Sequence, residues 1–385
     1  MISIDKLVEI GFTVSQATDL SLYFRNMGYL TVGQQSVVSG YQVPSNKVVV
    51  IGSNETLSQV FKADSQEYAD ISTILAQKGN MNPNKSRVNN VIVYFATQNS
   101  GETLGDLVQE FVSVNANWTQ LVINSKEATA IEKVADKCVE VDRLFVAQTN
   151  DNNVANKIED NVALKLSAKS NANTYLLYHG LATESLAGGV ASIMANQYLG
   201  GVGSLYSTVT NVTPQNYTDT INTNLDDQNV SYYSTVNAIN GGGVEMYGSP
   251  IVYGGKMING ENAKRRYIRY YLDKVLKARS IDFLKKKLGY EATSSDILES
   301  MLKAVLITAQ TNDLISEDDF VDNTVVKGFE LKVLTPAEIR VQDETAYNNK
   351  TYLVQGYYRD SLTGEKVNIS LYIDPTEAEK TVLGF

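Results

Sequence analysis

The chain is poor in the side chains that most often carry catalysis and structural metal binding. Its 385 residues include one histidine and one cysteine. One of each cannot supply the usual ligand set of a structural zinc site, and no Gly-x-Ser-x-Gly elbow accompanies a predicted strand. We expect His179 to be a polar residue at a strand end and Cys138 to be a packed thiol within a helix. The sequence therefore predicts no catalytic residue and no metal site.

Positive charge and long apolar segments are also scarce. The formal net charge is -10 and the sequence pI is about 4.8, which disfavours broad neutralisation of nucleic-acid phosphates. A membrane-spanning helix requires about eighteen consecutive apolar residues, and no apolar run in the chain approaches that length. The segment from Met1 to Leu30 lacks the charged and apolar regions of a signal peptide. We therefore expect no direct nucleic-acid contact, no membrane insertion, and folding in a host cytoplasm.

Glycine-rich and acidic groups are present, but their spacing does not match known cofactor loops. The run from Gly200 to Ser204 follows a predicted helix and lacks the Lys-Ser/Thr of a phosphate-binding loop. The glycines at 241–243 and 254–255 flank a predicted strand and are expected to form tight turns. The acidic groups at 226–227 and 317–319 do not have calcium-loop spacing. We expect no bound cofactor.

Alternating strands and helices dominate the chain from residue 48 onward. A buried strand, a helix and the next strand follow one another repeatedly, which predicts a mainly parallel sheet with crossover helices. Strands are predicted at 48–52, 88–96, 119–123, 143–147, 174–178, 230–236 and 251–257. Helices are predicted at 54–61, 64–79, 103–114, 126–140, 157–166, 186–198, 214–225 and 294–312, with a helix pair at 262–288.

The two ends of the chain differ from this α/β body. The first forty residues contain short apolar segments, such as 2–10 and 29–32, without an obvious local partner. The C-terminal part predicts antiparallel strands at 330–334, 351–359 and 366–372. The fold class is therefore α/β (α+β overall), with mixed sheets flanked by helices, C-terminal antiparallel strands and extended terminal arms. The predicted division is an N-terminal arm (1–22), an α/β domain (23–160), a core domain (161–345), and C-terminal strands with an arm (346–385).

One segment departs from the acidic character of the chain. Eleven cations and three acids lie between Lys256 and Lys287. The simple interpretation is a solvated helix face whose apolar side packs inward. The functional interpretation is a docking face for an acidic partner, with register set by charge. The candidate contact residues are Lys264, Arg265, Arg266, Arg269, Lys274 and Lys277.

The order of several weak motifs resembles the compact family of contractile phage tail sheath proteins, which is related to the sheaths of contractile injection systems. The strand at 48–51 and the helix at 56–61 precede Asp-Ser-Gln-Glu-Tyr at 64–68, and a Pro/Asn break and strand follow at 83–94. Further on, Leu-Asp-Asp-Gln-Asn-Val-Ser-Tyr-Tyr at 225–233 precedes Gly-Gly-Lys-Met at 254–257 and a helix to Leu288. The resemblance covers about residues 29–373.

This resemblance implies a structural subunit of a virion tail and not an enzyme. Such a protein assembles as stacked hexameric rings around an inner tail tube, and it also meets baseplate and tail terminator proteins. Terminal arms would add strands to the sheets of neighbouring subunits. The basic helix would then contact another subunit or the tube.

Two alternatives remain from the residues themselves. Another virion protein, such as a tail tube or an adhesin, would be more β-rich than this chain. A doubly wound α/β enzyme would hold its ligand at the carboxyl ends of the strands. The absence of a convergent set of His, Cys, Lys and carboxylate residues disfavours the enzyme.

Overall fold

The structure is a computed structural model that describes residues 26–32, 36–77, 90–196, 204–235, 250–321 and 324–360. The predicted arm at 1–22 and the predicted strand at 366–372 lie outside these residues. The described strands are β1 (Asn26–Val32), β2 (Val48–Ile51), β3 (Asn90–Ala96), β4 (Gln120–Ile123), β5 (Leu144–Thr149), β6 (Thr174–Tyr178), β7 (Ser231–Thr235), β8 (Pro250–Tyr253), β9 (Asp319–Val321), β10 (Thr324–Val326), β11 (Phe329–Val333) and β12 (Val354–Tyr358).

The helices lie between these strands, as the alternating sequence pattern predicts. Several begin at a side-chain cap: Ser53 accepts from the amide of Thr56, and Thr103 forms a reciprocal capping box with Asp106. The described helices are α1 (Asn54–Val60), α2 (Gln66–Ala76), α3 (Leu104–Val114), α4 (Ala128–Glu140), α5 (Asn152–Ala155), α6 (Val162–Ala168), α7 (Leu186–Asn196), α8 (Asp219–Asp227), α9 (Ala263–Lys285), α10 (Ala292–Thr311), α11 (Pro336–Gln342) and α12 (Glu344–Asn348).

An eight-stranded mixed sheet forms the centre of the molecule. Its order is β2-β3-β1-β4-β5-β6-β7-β8, and the inner strands β3 to β7 run parallel, whereas β2 and β8 are antiparallel to their neighbours. The predicted mainly parallel sheet with crossover helices is confirmed. Strands on both sides of residue 160 belong to this one sheet, and the division of the chain at that residue stays a prediction.

Residues 29–32 have no local partner, as expected, because both strands that pair with them are distant in sequence. They belong to β1, which lies in the middle of the sheet between β3 and β4, with Met27 opposite Val91 on one side and Gln120 on the other. Five consecutive residues of β1 are buried. A strand that pairs only with later segments has no local signal, because parallel neighbours are always distant in sequence.

Other local predictions need smaller corrections. The helix predicted at 157–166 begins instead at Val162, because Asn161 caps it and Lys157 and Asp160 have positive φ angles. The helix pair predicted at 262–288 is a single helix, α9. The strand predicted at 251–257 ends at Tyr253, and two glycines with positive φ follow it, of which Gly254 lies too close to Ser231 to carry a Cβ atom. The helix predicted at 214–225 begins at Asp219, where Thr218 caps it. Helices α5, α11 and α12 and the β9–β10 hairpin have no counterpart among the predicted elements.

Apolar layers cover both faces of the large sheet. The first layer contains side chains from α1, α2, α7 and the first half of α9, and the second contains side chains from α3, α4, α6 and α8. In the second layer Phe111 stacks between Tyr94 and Trp118, with ring centroids 5.1 and 4.8 Å apart. Gly28 lies beneath this stack, and a Cβ atom there would be 2.8 Å from the Trp118 ring. The close approach of strand to indole therefore requires glycine.

A second, smaller core lies beyond the first layer. It is built from α9, α10 and the two-stranded antiparallel sheet of β11 and β12. Helix α9 belongs to both cores: Tyr267 and Tyr270 pack in the first layer of the large sheet, whereas Ile268, Leu272 and Phe283 pack in the small core. This helix therefore fixes the C-terminal part of the molecule to the large sheet. The predicted C-terminal antiparallel strands are confirmed for the described residues.

Candidate assembly surfaces

The basic segment forms α9, and three of its six candidate residues are buried. Lys264, Lys274 and Lys277 have relative exposures of 5%, 3% and 2%. The ammonium group of Lys274 lies 2.7 Å from a carboxylate oxygen of Asp142 and 4.9 Å from the ring centroid of Tyr270. Burial lowers the pKa of Lys274 to about 8, and Asp142 opposes that shift only partly. These three lysines face the interior of the chain.

The remaining candidates, three arginines, lie near the beginning of the helix. Arg266 is partly buried and donates to the side-chain oxygen of Asn173. The side chains of Arg265 and Arg269 are 45% and 52% exposed, and each forms a 2.8 Å ion pair, Arg265 with Asp360 and Arg269 with Glu261. Of the six predicted contact residues, Arg265 and Arg269 therefore offer the most surface to a partner.

The most exposed cations of α9 lie at its other end, outside the predicted set. The side chains of Arg279 and Lys285 are 55% and 66% exposed, and Lys286 and Lys287 are also exposed. The charge pattern of the sequence did include these cations, because they belong to the same basic segment. The hydrophobic pattern alone could not separate the buried lysines from the exposed ones.

The sheet of β11 and β12 presents two further surfaces, its outer edges. Backbone hydrogen bonds from Leu334 to Leu353 and from Arg359 to Gly328 flank the ladder. Because hydrogen-bonded pairs alternate in an antiparallel ladder, the amides and carbonyls of Phe329, Leu331 and Val333 point away from β12. The amide of Val333 donates to a carboxylate oxygen of Glu299 (2.9 Å). The other edge belongs to β12, in which the first four residues are exposed.

A groove of about 910 Å³ runs along the outer edge of β11. Helix α10 forms its opposite wall, with Glu299, Lys303 and the 54% exposed Ile307 among the lining residues. The apolar side chains of Phe329 and Leu331 contribute to its lining from the strand. Charged side chains of α10 and β11 and residues 355–357 of β12 also line the groove. A groove that combines unpaired backbone groups of an edge strand with apolar and charged side chains can accept an added β-strand.

Polar side chains of β1, and His179 after β6, form internal hydrogen bonds near the edge of the sheet where a doubly wound enzyme would bind its ligand. Tyr29 donates to Asp70 (2.6 Å), and Thr31 donates to Glu67 (2.6 Å). His179 does lie at the end of β6, as predicted, but it is fully buried and 2.9 Å from a carboxylate oxygen of Glu184. These side chains connect strands to neighbouring helices and loops.

The other residues considered for chemistry have structural surroundings. Cys138 is buried in α4, and its burial raises the pKa of the thiol well above the ordinary value. The glycine groups at 200–203 and 241–243 lie outside the described residues. Within the described ranges, no group of three or more His, Cys, Asp and Glu side chains could hold a metal ion. No described helix is both long and apolar enough to span a membrane.

Comparison with solved structures gives a consistent result. The chain superposes on a protein of the anti-feeding prophage baseplate with a TM-score of 0.64 and 11% identity, covering 95% of this chain and 99% of the other. For the anti-feeding prophage helical sheath in the contracted state, the TM-score is 0.61 with 10% identity, and coverage is 94% and 99%. The sheath tail protein from Listeria innocua gives a TM-score of 0.56 with 9% identity, and coverage is 90% and 97%. The chain has the fold of contractile-tail sheath proteins.

The likeness to the sheath fold is structural, since identity is low throughout. No protein-family model and no curated protein sequence matches the chain. The resemblance drawn from the order of the sequence motifs is nevertheless confirmed at the level of the fold.

Proposed function

We propose that the chain is a structural subunit of a contractile tail sheath. It polymerises as stacked hexameric rings around an inner tail tube, and contraction drives the tube through a host envelope. The fold supports this proposal, because the similar proteins come from a helical sheath and from a six-fold baseplate. Its partners would be further copies of itself, a tail tube protein, and baseplate and tail terminator proteins. Its location would be the virion tail, after assembly in the host cytoplasm.

The observation that carries the proposal is the groove beside β11. A monomer that left such an edge open would expose unpaired backbone groups and apolar side chains to water. A strand from a neighbouring subunit would satisfy the groups of Phe329 and Leu331 and cover Ile307. Contacts of this kind would keep subunits connected while their bodies rotate.

The N-terminal arm of a neighbour is the proposed occupant of this groove. Residues 1–22 precede β1, which begins at Asn26. Ile2 and Ile4 alternate with polar residues, and Leu7 follows within the same segment. Alternation of this kind fits a strand with one face on an apolar wall.

A point substitution in the groove tests strand addition. Ile307→Arg places a long cation where the added strand would lie, and Thr308→Arg places the same side chain on the next exposed position of α10, outside the groove lining. We expect both purified chains to fold alike by circular dichroism. Negative-stain electron microscopy should show cylinders for Thr308→Arg and none for Ile307→Arg. Cylinders from both variants would contradict strand addition at this groove.

The beginning of α9 is the proposed contact with the tube or with another subunit. Arg265 and Arg269 would exchange their present carboxylate partners for those of an acidic surface, as charge pairs in a wet interface can. Lys264, Arg266, Lys274 and Lys277 would hold the helix in position for that contact. A contact based on such pairs can separate when the sheath contracts.

Charge reversal tests this second contact separately. Arg265→Glu combined with Arg269→Glu should abolish co-sedimentation with the tube protein or formation of cylinders. The control combines Lys133→Glu with Lys165→Glu, which changes the net charge equally at two exposed lysines of α4 and α6. If the arginine variant assembled and bound the tube as well as the control, the contact would lie elsewhere.

A further inference from the structure

The structure concentrates the excess positive charge of the basic segment at the C-terminal end of α9. Four cations, Arg279 and Lys285 to Lys287, share a single acid, Asp282, within residues 279–288. The two ion pairs there are long, 3.6 Å from Arg279 and 3.8 Å from Lys285, and all three side chains are about half exposed or more. Long pairs at an exposed site contribute little to folding. We call residues 284–288 with Arg279 the α9 tip.

The α9 tip also exposes two leucines. Leu284 is 41% exposed and Leu288 is 42% exposed, and they lie on either side of the three lysines. Favourable interaction with the helix dipole explains cations in the last turn of a helix. It does not explain exposed leucines beside them. An apolar centre with a charged rim is the usual composition of a protein contact surface.

A surface with the complementary composition, acidic side chains around an exposed apolar residue, lies elsewhere in the molecule. Ile158 is 52% exposed at a turn in which Glu159 and Asp160 are also exposed, and Asp226 and Asp227 lie at the end of α8. Lys157 forms a 2.8 Å ion pair with Asp227, whereas Glu159, Asp160 and Asp226 form no ion pair within 4.0 Å in the described part of the chain. We call residues 157–160 and 226–227 the acidic knob.

Tertiary hydrogen bonds give the acidic knob a defined shape. The side-chain amide of Asn161 donates to the side-chain oxygen of Gln228 (2.8 Å), and the side-chain amide of Asn224 donates to the backbone carbonyl of Ala155 (3.1 Å). These bonds tie the turn before α6 to the end of α8. A surface held in this way loses little conformational entropy when a partner binds.

The α9 tip and the acidic knob adjoin different cores of the molecule. Leu225 of α8 belongs to the second apolar layer of the large sheet, whereas Phe283, next to the α9 tip, belongs to the small core. Complementary surfaces at separate places on one chain favour a heterologous contact between copies. Such a contact closes into a ring or continues as a helix.

We propose that the α9 tip of one copy binds the acidic knob of a neighbouring copy. Ile158 packs between Leu284 and Leu288, and the three lysines face Glu159, Asp160 and Asp226. The inference rests on the proposed self-assembly of the chain and names one of its contacts. The contact is distinct from the strand-addition groove and from the Arg265–Arg269 end of α9. Because its rim is charged, the contact weakens as salt concentration rises.

Reciprocal charge reversal in the full chain tests this contact. The tip variant carries Lys285→Glu, Lys286→Glu and Lys287→Glu, and the knob variant carries Glu159→Lys, Asp160→Lys and Asp226→Lys. We expect each to lower the fraction that sediments as cylinders by at least about tenfold, because like charges then face each other. The chain with all six substitutions should recover assembly, because opposite charges face each other again.

The controls separate this inference from the proposed function. A chain with Lys62→Glu, Lys133→Glu and Lys165→Glu, at three exposed lysines, has the same net charge as the tip variant and should assemble normally. Circular dichroism of the unassembled chains checks that the exposed substitutions leave folding intact. Normal assembly of the tip variant would overturn the proposed contact. So would a chain with all six substitutions that did not recover assembly. Failure of the unaltered chain to form cylinders would instead count against the sheath function.

Discussion

Replacing the buried Lys274 by methionine should stabilise the fold at neutral pH. The ordinary lysine pKa of 10.5 falls to about 8 at this position, chiefly because burial removes water from the ammonium group. At 1.36 kcal/mol for each pKa unit, that shift corresponds to about 3 kcal/mol against the charged form at pH 7. Methionine keeps the apolar stem and removes the charge, while Asp142 retains 25% exposure to water. We expect Lys274→Met to raise the free energy of unfolding by about 1–3 kcal/mol.

The pH dependence of the free energy of unfolding distinguishes removal of a buried charge from an improvement in packing. Because the pKa of Lys274 is lower in the folded chain than in the unfolded chain, the unfolded chain binds more protons between about pH 8 and 10.5. The free energy of unfolding of the unaltered chain therefore rises with pH across that window, and the penalty is fully present below about pH 8. The advantage of Lys274→Met should shrink by about 1.4 kcal/mol between pH 7 and pH 9.

Urea unfolding at the two pH values measures both effects. Trp118 is the only tryptophan and is fully buried, so its fluorescence reports unfolding of the large core. Lys285→Met is the matched control, since Lys285 lies on the same helix with its side chain 66% exposed. That variant should change stability by less than about 0.5 kcal/mol at either pH. A Lys274→Met chain that is less stable than the unaltered one, or whose advantage is independent of pH, would refute the reasoning.

Three further substitutions probe the packing that holds the fold, all measured by the same urea assay. Gly28→Ala should destabilise by about 1–3 kcal/mol, because the new Cβ would lie 2.8 Å from the Trp118 ring; an unchanged midpoint would contradict the close packing. Glu184→Ala should lower stability by about 2–4 kcal/mol, since it removes the acceptor beside the buried His179, and a loss below about 0.5 kcal/mol would show that water replaces the carboxylate. Leu302→Ala should lose about 2–5 kcal/mol from the small core, whereas a small loss would mean that this core collapses around the cavity.

Local signals in the sequence were sufficient for most of the large sheet. Consecutive β-branched residues at 48–51 and a small polar cap at Thr103 encode a strand and a helix start without reference to distant residues. β1 was missed as part of the sheet because its partners, β3 and β4, come later in the chain. Its central position depends on parallel pairing, which leaves no short-range pattern.

The candidate surfaces could be predicted only in part. The charge excess of residues 256–287 identified the basic helix, but charge does not show which way a lysine points. Lys274 is buried because it meets Asp142, which is 132 residues away along the chain. The groove beside β11 was also beyond prediction, since its wall depends on how α10 packs against the strand. Packing between segments that are distant in sequence therefore determines both the burial of Lys274 and the shape of the groove.

Cryo-electron microscopy of the purified full-length chain, alone and with a tail tube protein, tests the sheath assignment most directly. We expect hollow cylinders made of stacked six-membered rings, with a strand from each subunit in the β11 groove of a neighbour. A folded chain that stayed monomeric at high concentration, with the tube protein present, would contradict it.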